Sequence, residues 1–77
     1  MNLYLISQEV NNGYDTYDQA VVCAESAEKA VLISPDGNEI DNGYYTWCAV
    51  EDVNVECIGK AVDGMKAGVI CASFNAG

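Results

Sequence analysis

A chain of 77 residues with 12 Asp and Glu against three Lys, and with no Arg or His, carries a formal charge of −9. That balance argues against direct binding to nucleic acid or to anionic membranes, both of which call for Lys and Arg. Hydrophobic residues make up 51% of the sequence, too many for intrinsic disorder, and the length allows a single domain over residues 1–77.

Asn2 to Val10 reads as a first strand, with Tyr4, Ile6 and Val10 on one parity and Leu3, Leu5 and Ser7 on the other. Asn11-Asn12-Gly13 supplies turn chemistry, because Asn and Gly tolerate the positive φ of two-residue hairpin turns. Thr16 to Glu25 reads as a second strand, antiparallel to the first, with Ala20-Val21-Val22-Cys23-Ala24 as its apolar centre. Ser26 is a candidate helix N-cap, and Glu28 suits the first turn. Ala27, Ala30, Val31 and Ile33 give a short apolar stripe for a helix of two turns or little more, which Pro35 stops.

Ser34 to Gly43 is dense in turn formers and reads as the long loop. Tyr45 to Val50 is expected as a third strand carrying Trp47 and Cys48, and Asn54 to Val62 as a fourth. Asp63-Gly64 opens a turn before Val69 to Phe74, the most continuously apolar segment, which is expected inside the sheet. The order β-β-α-β-β-β predicts an α+β fold. Its antiparallel or mixed sheet of four to five strands has one short helix packed on it.

Chemistry is sparse. Cys23, Cys48, Cys57 and Cys71 contain no C-x-x-C pair and have no His beside them, so they do not frame a zinc site. Asp36-Gly37-Asn38-Glu39-Ile40-Asp41 begins like a calcium loop but puts Ile40 at the fifth position. Without His, a Cys or Ser nucleophile lacks its ordinary base, and no glycine loop cradles phosphate. The expectation is a protein that is no enzyme and takes no metal or cofactor. Met1 to Ile6 lacks a signal peptide's basic start and long apolar run, which points to a reducing cytoplasm and free thiols.

The carboxylates spread over most elements and form no tail. Two readings follow: a solvated acidic surface, or a surface that attracts a basic partner by taking the positions of phosphates. Charge acts over only about 10 Å at ordinary salt, so only converging carboxylates can imitate a phosphate track. The candidates for partner binding are Asp15 and Asp18, the loop residues Asp36, Glu39 and Asp41, and the pair Glu51 and Asp52. Tyr17 and Tyr45 are the candidate aromatic contacts, since tyrosine buries much area while keeping a polar handle. Regular alternation puts Asp15 with Tyr17 on one strand face and Tyr14 with Asp18 on the other.

Certain motifs carry a resemblance. Leu3-Tyr4-Leu5-Ile6-Ser7-Gln8, Gly13-Tyr14-Asp15-Thr16-Tyr17-Asp18, Ala20-Val21-Val22, Ala24-Glu25-Ser26 and the closing Ala72-Ser73-Phe74-Asn75-Ala76-Gly77 are similar to segments of a group of small phage- and prophage-borne proteins. Size and acidity also resemble the anti-CRISPR proteins, several of which mimic DNA and block a type I Cascade surveillance complex. The resemblance implies a monomeric inhibitor in the host cell cytoplasm, whose partner is a basic host complex such as a Cascade subunit. The alternative is a structural or accessory phage protein that self-associates through sheet edges or packs against another protein.

Overall fold

The computed structural model describes residues 1–36 and 46–75. Four strands, β1 (Asn2–Ser7), β2 (Thr16–Ala24), β3 (Asn54–Lys60) and β4 (Gly68–Asn75), form one antiparallel sheet in the order β3-β1-β2-β4. A helix, α1 (Ala27–Ala30), follows β2, and a 3-10 turn over Val50–Asp52 precedes β3. The architecture is α+β, mostly sheet with a small helix.

Pairing puts the two strands richest in apolar alternation at the centre. Leu3 faces Cys23, Tyr4 faces Val22, Leu5 faces Val21 and Ile6 faces Ala20. Cross-strand partners share a sheet face, so Tyr4, Ile6, Ala20, Val22 and Ala24 line one side. They join Ala30, Trp47 and Cys48 in a single buried cluster, with Tyr17, Ile33 and Val53 packed against it. Trp47, the largest fully buried side chain among the described residues, shares this cluster with the small side chains of Ala20, Ala24 and Ala30. Its Nε1 finds no acceptor among the described residues.

Ser26 caps α1 as its sequence context predicts, its side chain accepting from the Lys29 amide. The helix has one turn, shorter than the apolar stripe suggests. It ends five residues ahead of Pro35 because the chain tightens first: the amides of Leu32 and Ile33 donate three residues back, to Lys29 and Ala30. So short a helix is held by packing through Ala30.

Three expectations are corrected. No strand forms over the described part of Tyr45–Val50; Thr46 to Ala49 are turn and coil, and Val50 opens the 3-10 turn. Trp47 and Cys48 are instead brought over the sheet as part of its covering layer. Thr46 and Trp47 are fixed there by their carbonyls, which accept from the Tyr17 amide at 2.7 Å and the Asn11 side chain at 2.9 Å. The apolar segment ending in Phe74 is an edge strand, not an interior one, and six of the eight β4 residues are exposed.

The β1–β2 connection is also not a two-residue Asn-Gly turn. It runs from Gln8 to Asp15, and its left-handed residue is Asp15 (φ 59°), a conformation that Asp tolerates better than most. Gln8, 3% exposed, organises this loop. Its Nε2 donates to the carbonyls of Asn11 and Tyr17, both at 2.8 Å, while its Oε1 accepts from the amides of Val10 and Asn11. All four hydrogen-bonding positions of the amide are therefore filled.

Candidate functional site

The sheet has two distinct ends, and the charges divide between them. At one end lie the β1–β2 loop, the start of β2, the 3-10 turn and the last residue of β4. Thr46 links Asp36 to this end, donating its hydroxyl to the Asp36 carboxylate while its carbonyl accepts from Tyr17. Glu9, Asp15, Asp18, Asp36, Glu51 and Asp52 are therefore gathered here with no lysine. The opposite end holds Glu25, Glu28 and Asp63 together with Lys29, Lys60 and Lys66, so its side-chain charges cancel. Glu56 lies between, in the middle of β3.

A nine-residue strand such as β2 is about 30 Å long. Screening reaches only about 10 Å, so the two ends act as separate electrostatic surfaces. One is six charges negative among the described residues; the other is balanced.

The candidate residues at the acidic end have different freedoms. Glu51 and Asp52 are exposed on the 3-10 turn, and Asp15 is exposed in the loop beside Tyr14, which is 81% exposed. Asp18 and Asp36 are committed inward. Asp18 accepts from the Asn75 side chain at 2.7 Å, tying down the end of β4, and Asp36 accepts from Ser34 at 2.6 Å as well as from Thr46. Tyr17 is half-buried and packs on the core and on Phe74, with ring centroids 4.8 Å apart.

The expected pairing of Asp15 with Tyr17 on one face fails, since Asp15 precedes the strand and Asp18 is the extra residue of a bulge. Glu39, Asp41 and Tyr45 lie outside the described residues. Glu9 and Tyr14 are exposed members of this end that were not among the candidates. What selects them is the topology that brings their loop beside the 3-10 turn. No family model, no curated protein and no solved structure matches the chain. The site must speak through its own chemistry.

Among the described residues no three His, Cys, Asp or Glu side chains gather as metal ligands. A shallow depression lies on the sheet face away from Trp47, lined by Leu5, Gln19, Ala20, Val21, Cys71, Ala72 and Ser73. It contains one thiol and no carboxylate. Cys48, in the core, is held as a neutral thiol: burial first, and then the nearby Asp52 carboxylate, push it from 9.0 to about 11. Among the described residues, no helix is long and apolar enough to cross a membrane.

The sheet face away from the core is largely apolar, with Glu56 opposite Leu5 as its charged residue among the described strands. Leu3, Leu5 and Val21 are half-buried on the face away from the core, and among the described residues no strand pairs with the outer side of β3 or β4. Cys57 and Cys71 are exposed thiols on these two edges.

Proposed function

We propose that the chain is a non-enzymatic inhibitor that uses its acidic end to engage a basic, nucleic-acid-handling protein complex. Asp15, Glu51 and Asp52, with Glu9, take positions that phosphates otherwise hold, while Tyr14 adds desolvated contact. Asp18 and Asp36 contribute charge from fixed positions. The observation that carries the reading is the segregation itself. Six described carboxylates share one end of the sheet while all three lysines sit at the other. A merely solubilising charge has no reason to be sorted this way. The resemblance of its motifs to phage-borne proteins, together with size and acidity, leads us to a host defence complex such as type I Cascade as the target.

The test is competition. Immobilised Cascade should bind the protein, release it as duplex DNA is added, and lose affinity by an order of magnitude or more between low and high salt. Glu51→Lys with Asp52→Lys should weaken binding at least tenfold. Asp15→Asn should weaken it less, because it removes a charge while keeping a residue that accepts the left-handed backbone. Affinity that is flat with salt, or binding unaffected by the charge reversals, would refute the acidic end as the contact.

A further inference from the structure

We infer that two copies of this chain pair antiparallel through β4, forming a continuous eight-stranded sheet. The inference is independent of the acidic-end reading and starts from what the fold leaves open. β4 is a long edge strand, and an edge presents a row of backbone donors and acceptors that will template another strand unless it is blunted. The usual devices are charge and proline. Gly68 to Asn75 contains neither, and residues 67–77 are the longest run without a charge in the sequence. The other edge is different: β3 carries Glu56 at its middle and Lys60 at its end.

Charge identifies the occupant. Two copies at −9 repel, so they can meet only along surface that brings no carboxylates together. A two-fold contact of β3 would bring Glu56 close to its own copy; β4 has no such residue. The direction follows as well. Antiparallel pairing sets the acidic end of each copy beside the balanced end of the other, whereas parallel pairing would set the two acidic ends side by side. Lys66 comes just before β4, while Asp15 and Asp18 flank its far end, the Asp15 amide donating to the Asn75 carbonyl and Asp18 accepting from the Asn75 side chain. Each strand terminus thus meets its electrostatic complement.

A two-fold axis through paired strands requires some residue to face its own copy. At the centre of β4 that residue is Cys71 or Ala72, both exposed, small and uncharged. Among the described residues, nothing there obstructs approach.

Light scattering on the eluting full-length protein should give twice the 8.2 kDa chain mass at high loading, falling toward 8.2 kDa on dilution. Cys71→Asp and Ala72→Asp, which put paired carboxylates at the two-fold axis, one facing its own copy and the other diagonally across it, should elute at the single-chain mass, with circular dichroism confirming the fold. Lys66→Glu should shift the midpoint of dissociation to at least several-fold higher concentration. A second measurement does not depend on those variants folding. A short bismaleimide should cross-link Cys57→Ser into dimers and leave Cys71→Ser monomeric, because Cys23 and Cys48 are buried. A wild-type chain that is monomeric at every concentration overturns the inference. So does a dimer that survives both Asp substitutions, or one that cross-links through Cys57.

Discussion

Gln8 shows how much one buried side chain can organise. Its carboxamide satisfies two backbone amides and two backbone carbonyls of the β1–β2 connection. Gln8→Leu would keep the volume and strand every one of those groups away from its partner. We expect a loss of about 3 kcal/mol in urea denaturation. That is a large share of the roughly 4–12 kcal/mol typical for a chain of this length. A loss below about 1 kcal/mol would show that water replaces the carboxamide at no great penalty. Cys48 makes a prediction of a different kind. Its thiol is held protonated in the folded protein up to about pH 11, while the unfolded chain releases that proton near 9.0. The folded state therefore binds more protons across this window, and stability falls as pH rises through it. Cys48→Ala removes this component. The gap in denaturation midpoint between the two proteins should narrow from pH 9 to pH 11, whereas a constant gap would mean that Cys48 does not titrate differently on folding.

Elements were legible where local chemistry is decisive and illegible where partners decide. β1 and β2 announce themselves through alternating and β-branched residues, and the Ser26 cap through its hydroxyl and the helix formers after it. Gly64, at φ 87°, sits in the turn that Asp63-Gly64 signals. The apolar run of β4 suggested an interior strand, because continuous hydrophobicity usually means burial on both faces. Here the same pattern marks an edge, and sequence alone cannot separate a strand buried by its own chain from one awaiting another. Trp47 and Cys48 lie in a segment whose residue types favour strand, yet Thr46 and Trp47 are tied to β2 and the Asn11 loop by hydrogen bonds to distant residues. No local rule contains those partners. For the acidic end, Glu51, Asp52 and Asp15 could be named in advance as carboxylates. That Asp18 and Asp36 turn inward, and that Glu9 joins the group, depends on loops packing side by side.

At the scale of the molecule, a sheet is covered by a layer on one side and left open on the other. Charge is sorted along the strands and neutrality is concentrated on the open edge. The two proposed contacts use different parts of this plan, so a chain paired through β4 would still present an acidic end at each extreme of the assembly. The covering layer also has a consequence for measurement. Trp47 is the sole tryptophan, wholly buried, and belongs to that layer and not to the sheet. Its ultraviolet emission therefore watches the layer, while far-ultraviolet dichroism watches the strands. In urea the two signals should change together, the emission moving to longer wavelength as the indole meets water. If emission shifts first, the lid lifts from an intact sheet, and the chain carries an optical gauge for that half-opened form.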